Sequence, residues 1–308
     1  MQKMYLLALS IMATLFTTGA YAQEAEDSTG LPGDNFSLSG ALTMFKKAAS
    51  PEEFERLLNS QENGVNNLDL NADGNIDYIK VVDKREQDVH VFIIQAQLSS
   101  SESQDIAVIE LEKTGAENAV VQIVGDEDIY GDTTIVEPAS NMKGTYRTRQ
   151  FPSSGPRVSF RYTPASIGIV VNVWAWPCVR FVYAPAYRPW VSPWGWRRYP
   201  VWWRPWRPLG WVAYRPLRVR YYPACAVVHT RRIVAAPVIY RPVRVTSVTV
   251  VNRYRAPVAN YRAARTVRTT TVRGPYGRQY RSTRSTTVVR GPAGNRHMKH
   301  YRKAERVF

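Results

Sequence analysis

Acidic residues almost disappear from the second half of this chain. After Ser140 a single acid, Glu305, stands against 33 lysines and arginines, whereas Gln23 to Ser140 carries 24 acids and 7 bases. The formal net charge of +16 over 308 residues therefore averages two polymers of opposite sign. Cysteine is scarce too: Cys178 and Cys225 are the only two, both in the basic half. The nearest histidine, His229, is not at ligand spacing from either, which disfavours a Cys/His zinc site. Of the four histidines, His90 falls in an apolar run and reads as a strand residue rather than a base. His297 and His300 lie in the basic terminus, and Asp126, Glu127 and Asp128 read as a turn. No nucleophile, acid–base pair or catalytic metal set is apparent. The expectation is a non-enzymatic protein, the alternative being a periplasmic enzyme whose site the sequence does not disclose.

Residues 1–22 combine Lys3, an apolar run from Tyr5 to Phe16 and the small-residue ending Ala20-Tyr21-Ala22, the pattern of a secretory signal peptide cut before Gln23. The apolar core is short for a bilayer span of about 20 residues. No cysteine follows the cut, so a lipid anchor there is excluded. The expected location is the periplasm or the outer membrane. In such an oxidising compartment Cys178 and Cys225 either pair as a disulfide or remain two free thiols.

Residues 23–36, rich in Glu, Asp, Ser, Gly and Pro, read as a flexible leader. An acidic domain is expected over residues 37–138. Leu38, Ala41, Leu42, Phe45 and Ala49 make one apolar stripe of a helix. Ser50-Pro51-Glu52-Glu53 announces a second, with an N-cap serine and proline at its first position. Strands are expected at Val65–Leu70, Ile76–Asp83, Val89–Gln97, Ile106–Leu111 and Ala119–Val124, with an edge at Ile129–Val136. The run Val89–Gln97 is apolar on both faces and suits a central strand. The fold class is α+β: a small antiparallel sheet packed by the two N-terminal helices. The charge division near Pro138 to Gly144 marks the expected boundary, with a linker over 139–166.

Between two of these strands lies Asp69-Leu-Asn-Ala-Asp-Gly-Asn-Ile-Asp77. Asp69, Asn71, Asp73 and Asp77 stand at positions one, three, five and nine, with Asn75 at seven offering its carbonyl and Gly74 at the tight turn. This spacing surrounds a hard cation such as calcium with oxygen. An EF-hand requires glutamate at position twelve, which is Lys80 here, and helices on both flanks. The loop instead resembles the calcium-binding hairpins of integrin-like and FG-GAP repeat proteins, over nine residues that occur once. A hydrophilic turn that holds nothing tightly is the other reading.

The basic half begins, after the linker, with an apolar stretch over 167–184 that is interrupted by Asn172, Pro177 and Arg180. A membrane span there meets a proline and an arginine, and a pair of strands hinged near Trp176-Pro177 is the better expectation. All nine tryptophans fall between Trp174 and Trp211. Within 167–240, a Trp/Pro/Arg-rich region, Trp194, Trp196, Arg197, Arg198, Trp202, Trp203, Arg204, Trp206 and Arg207 interleave indoles with guanidinium groups among prolines that forbid a regular helix. Residues 241–308 are Arg/Thr-rich with near-duplicate segments at 270–275 and 286–292, a composition that suggests disorder.

The helix pair, the aspartate loop, Gly125-Asp126-Glu127-Asp128-Ile129-Tyr130-Gly131 and the Trp/Pro tail together resemble uncharacterised secreted proteins of Bacteroidota. That resemblance implies export but no activity. Of the 33 bases 30 are arginine, which grips phosphate and carboxylate bidentately and stacks on indole. The expected partners are therefore anionic lipid, lipopolysaccharide or acidic polysaccharide at a water–lipid interface. Docking of the basic half on the acidic half, giving a self-neutralised structural protein, is the competing expectation. Nucleic acid comes last.

Overall fold

The computed structural model describes residues 28–139, 170–273, 279–290 and 296–306, with side chains described as far as residue 262. The signal sequence and the 139–166 linker fall almost entirely outside the described residues.

Two short helices open the fold. In α1 (Leu38–Lys47) the Ser37 hydroxyl accepts from the Gly40 amide at 3.0 Å, and Lys46 and Lys47 occupy the last turn, where cations suit the helix dipole. In α2 (Pro51–Leu58) Ser50 accepts from the Glu53 amide at 3.2 Å while the Glu53 carboxylate returns to the Ala49 amide at 2.8 Å. Four antiparallel strands follow: β1 (Tyr78–Glu86), β2 (Val89–Gln97), β3 (Ser103–Gly115) and β4 (Asn118–Gly125). A single turn α3 (Glu127–Tyr130) then leads to β5 (Thr134–Pro138). The expected strand Val65–Leu70 is irregular, with one bridge between Asn66 and Phe36. The segment read as one edge strand, Ile129–Val136, divides into α3 and β5, and β5 is not at the edge.

The sixth strand comes from the basic half. β6 (Cys225–Val228) pairs antiparallel with β5, so the sheet order is β1-β2-β3-β4-β5-β6. The chain is thus α+β with a six-stranded antiparallel sheet. A core that ends at Pro138 does not describe it. Val173, Cys178, Val179, Val182 and Val250 are buried in one cluster with Phe45, Phe54, Phe92 and Ile94. On the sheet's other face, Val89, Val91, Ile93 and Val108 are covered by Ile233 and Ala236, the latter opening α6 (Ala236–Tyr240). The physical reason lies in β2: all nine of its residues are buried, and a strand apolar on both faces requires two covering layers.

Three further expectations change. The leader is ordered from Ser28: Asp34 accepts from Ser28, Thr29 and Gly30, and Gly33 sits so close to Tyr130 that a Cβ there would lie 2.4 Å from its ring. The 167–184 stretch, over its described part, forms no strand pair. Pro177 opens α4 (Pro177–Val182), because proline at the first helical position loses no hydrogen bond. The Arg/Thr-rich stretch, expected to be disordered, carries α7 (Val248–Ala264); after it β7 (Arg265–Arg273), β8 (Gln279–Arg290) and β9 (Arg296–Arg306) pair as a separate antiparallel sheet. Between α4 and β6 lies α5 (Trp211–Val219).

Candidate functional site

The Trp/Pro/Arg segment is laid along the free edge of β1. Asp83 donates its amide to the Trp190 carbonyl at 2.7 Å, Ser192 donates its amide to the Val81 carbonyl at 3.1 Å, and Val191 bridges Val82. An exposed strand edge is a template for unwanted pairing, and this segment covers it. The Ser192 hydroxyl then reaches the buried Glu55 carboxylate at 2.8 Å, which also accepts from the Tyr78 hydroxyl at 2.7 Å and the Val81 amide at 2.8 Å. Burial nonetheless raises the Glu55 pKa above the ordinary glutamate value. Farther on, the Trp206 carbonyl accepts from Ile76 at 2.8 Å, and Leu209 and Asn67 exchange two hydrogen bonds at 2.8 and 2.9 Å. Both ends of the segment are therefore tied to the sheet domain.

Between those anchors the chain turns back at Gly195–Arg198, whose backbones exchange two hydrogen bonds, with Arg197 at φ +58°. The sequence-derived site residues separate here by exposure. Arg197, Arg198, Arg204 and Arg207 are exposed, Trp194, Trp196 and Trp206 are half-buried, and Trp202 is 47 % exposed beside Val201 at 92 %. Trp203 corrects the expectation: it is 3 % exposed, with its ring 5.0 Å from Tyr78 and 4.5 Å from Tyr199, so it anchors the ridge rather than presenting a binding surface. The Arg197 guanidinium lies over the Trp196 ring at 5.9 Å, and Arg198 donates to the Pro193 carbonyl at 3.2 Å. Among the described residues, none of these four arginines forms an ion pair with a carboxylate.

Other arginines are committed internally, and sequence reasoning did not single them out. Arg244 grips Asp126 at 2.7 and 2.9 Å and Asp128 at 2.7 Å. Arg232 makes a two-pronged contact with Glu137, and Arg218 holds the Gly33 and Asp34 carbonyls at 3.0 and 2.7 Å. Arg231 approaches Glu110 at 3.0 Å, inside ion-pair distance but outside hydrogen-bonding geometry, so neither buried Glu110 oxygen has a hydrogen bond. Burial pushes Glu110 up to about 7 despite the arginine. Asp105, also raised by burial, accepts from the Val245 amide at 2.9 Å and the Tyr240 hydroxyl at 3.0 Å. The signal that could have found them is acids at Asp105 and Glu110 in one strand and at Asp126 just past the apolar run of the next: a buried carboxylate needs a partner from elsewhere.

The aspartate loop folds its oxygens onto its own amides. Asp69 accepts from the Asp73 and Gly74 amides at 3.1 and 3.0 Å, Asn71 from Asp73 at 3.0 Å, and Asp73 from Asn75 at 2.9 Å. Asp77 is buried and accepts from the Leu70 amide at 2.6 Å. Burial, and then the charges of Asp69 and Asp73, push Asp77 up to about 8. The donor set is all oxygen and suits a hard cation chemically, but a cation has to displace these amides and the Asp77 proton. Among the described residues no three His, Cys, Asp or Glu side chains are grouped to hold a metal.

Cys178 is buried in α4 and Cys225 half-buried at the start of β6, and both are free thiols in this structure. Each packs into the core, and the Cys225 thiol points at the Ser39 carbonyl at 3.6 Å. Burial pushes the Cys225 thiol up to about 11. His90 is fully buried, its Nδ1 2.9 Å from Asp83 and its Nε2 without a hydrogen-bond partner. Among the described residues no helix is long and apolar enough to cross a membrane. Comparison of the chain with family models, with curated proteins and with solved structures finds no match.

Proposed function

We propose that this chain is a non-enzymatic, exported protein of the cell envelope whose ridge from Trp194 to Arg207 adheres to a surface of anionic lipid. The observation that carries the reading is that four exposed arginines without carboxylate partners surround exposed Val201 and Trp202 on a backbone pinned at both ends. Guanidinium groups attract lipid phosphate while indole prefers the interfacial layer. Pinning lowers the conformational entropy lost on adsorption. In this reading α1 and α2 form the layer that closes one face of the sheet, the carboxylate-paired arginines are structural, and the aspartate loop is a structural calcium site beside the ridge. Export rests on the 1–22 pattern.

A second reading, a self-neutralised structural protein, is favoured by the Arg231, Arg232 and Arg244 ion pairs. The two differ in what the ridge does. Co-sedimentation of the mature chain with phosphatidylglycerol vesicles, neutral phosphatidylcholine vesicles, lipopolysaccharide and acidic polysaccharide decides between them. Each arginine near an anionic surface contributes about 1 kcal/mol. Replacing Arg197, Arg198, Arg204 and Arg207 by serine should therefore weaken adsorption by roughly two to three orders of magnitude. The attraction should also fade as salt shortens the Debye length from about 10 Å at 0.1 M to about 3 Å at 1 M. Adsorption that the four substitutions leave intact would move the binding surface to the later arginines. No adsorption to any anionic material would leave the structural reading.

A further inference from the structure

The sheet of β7, β8 and β9 sets its arginines in register. Arg268 stands directly opposite Arg284, and Arg284 opposite Arg302, so three arginines lie abreast across three neighbouring strands. At a strand spacing of about 4.8 Å, like charges directly opposite one another destabilise a sheet. Alternation along each strand places the row on one face, together with the opposed pair Arg290 and Arg296 and with Arg306. No acid shares that face. Glu305, the one acid in these strands, stands opposite Arg281 and belongs to the other face. Rows of hydroxyl-bearing residues flank the arginines: Thr270 and Ser282 on one side, Thr266 and Thr286 on the other. Neither face is predominantly apolar in sequence, so hydrophobic burial does not offset the repulsion.

We propose that this face of the sheet binds an acidic polysaccharide, whose carboxylates lie along the row Arg268, Arg284 and Arg302. A polyuronate carries one carboxylate on each sugar, and arginine grips carboxylate with two parallel hydrogen bonds. A linear chain crossing the strands meets the three arginines in succession. Anions laid along the row remove the repulsion that the register otherwise imposes, so binding and strand pairing support one another. The flanking rows suit the sugar hydroxyls that accompany each carboxylate. Single-stranded nucleic acid is held by stacking its bases on aromatic rings, whereas the one tyrosine of this face, Tyr280, stands two rows away from the arginines. A lipid surface favours tryptophan at its boundary, and all nine tryptophans lie between Trp174 and Trp211. The site is separate from the ridge and does not depend on the lipid reading.

The test is titration of the mature chain with polygalacturonate, beside neutral dextran, duplex DNA and phosphatidylglycerol vesicles. Polygalacturonate should bind and dextran should not. The triple variant Arg268→Gln, Arg284→Gln, Arg302→Gln should weaken polygalacturonate binding roughly ten- to a hundredfold, the sum of three exposed ion pairs. The control Arg265→Gln, Lys299→Gln, Lys303→Gln removes the same charge from the opposite face and should weaken it less than about threefold. The first variant takes away opposed like charges, which favours strand pairing, and far-UV circular dichroism of both variants checks the strands. The chain with Arg197, Arg198, Arg204 and Arg207 replaced by serine should bind polygalacturonate like the parent while losing vesicle adsorption, so failure of this site and failure of the ridge are told apart. The proposal is overturned if polygalacturonate does not bind, if the two triple variants weaken it equally, or if duplex DNA at equal charge binds more tightly than polygalacturonate.

Discussion

Removing everything after Ser140 should abolish cooperative folding of the acidic half, although that half carries its own helices and most of the sheet. The loss can be worked from one face. Val89, Val91, Ile93 and Val108 are buried only because Ile233, Ala236 and their neighbours lie over them. Burial of such a side chain is worth about 1.5–3 kcal/mol. Four of them fully uncovered lose about 6–12 kcal/mol, and half-uncovered about 3–6. A whole domain is stable by about 5–15 kcal/mol. The opposite face adds to the deficit, since Val173, Val179, Val182 and Val250 leave the main core. At about 4–8 °C per kcal/mol for a domain of this size, even the smaller figure lowers the melting temperature by more than about 12 °C. Calorimetry and far-UV circular dichroism on residues 23–140 beside the mature chain measure it directly. A fragment that melts cooperatively within a few degrees of the full chain would refute the shared core and restore a boundary near Pro138.

Three further outcomes follow from named contacts. Arg231→Met should destabilise by roughly 1.4 kcal/mol at pH 8, one unit above the Glu110 value, because without the guanidinium the buried carboxyl takes up a proton rather than stand unpaired. Because the folded pKa of Glu110 is raised to about 7 from 4.5, its favourable contribution is complete below pH 4.5 and lost as pH rises through 7; denaturant melts from pH 4 to 8 should show the Arg231→Met penalty shrinking toward acid, and a pH-independent penalty would contradict it. Trp203→Ala should cost about 3–5 kcal/mol, as a buried aromatic does, whereas Trp202→Ala should stay within about 0.5 kcal/mol in the same melts and lose vesicle adsorption instead. Calcium at one hundred times its dissociation constant should stabilise the chain by about 2.7 kcal/mol, with affinity rising from pH 6 to pH 9 because the cation displaces a proton from Asp77, raised to about 8; equal shifts in melting temperature for the parent and Asp73→Ala would reduce the loop to a turn.

Local features of this fold were legible where neighbours in sequence settle them. The cap at Ser50, the proline opening α2 and the apolar run of β2 are decided within a turn or two of the residues that show them. The irregular path of Val65–Leu70 was not legible, because it is dictated by distant partners: Asn67 is held by Asn35 and Leu209, and Val65 accepts from Ser37 and Tyr214. The same holds inside the ridge. Trp202 and Trp203 are indistinguishable by composition, and it is the rings gathered around Trp203, Tyr78 of β1 together with Tyr199 and Trp206, that bury it.

The charge segregation shows most clearly why composition misplaced the boundary. Opposite signs on two long segments identify equally well two separate units and two halves of one interface. What separates the cases is where the acids lie. Asp105, Glu110 and Asp126 are buried, and a carboxylate fixed inside the fold is tolerable only with a counter-charge or donors that the chain itself delivers. Each receives them from beyond residue 220: Tyr240 and Val245 to Asp105, Arg231 to Glu110, Arg244 to Asp126. Arginine suits this role better than lysine, since its fork serves two carboxylates at once, as Arg244 does with Asp126 and Asp128. Part of the arginine excess is therefore consumed by the fold, whereas Arg197, Arg198, Arg204 and Arg207 are exposed and form no carboxylate ion pair among the described residues, and in the proposed reading these are the groups that meet an external anion.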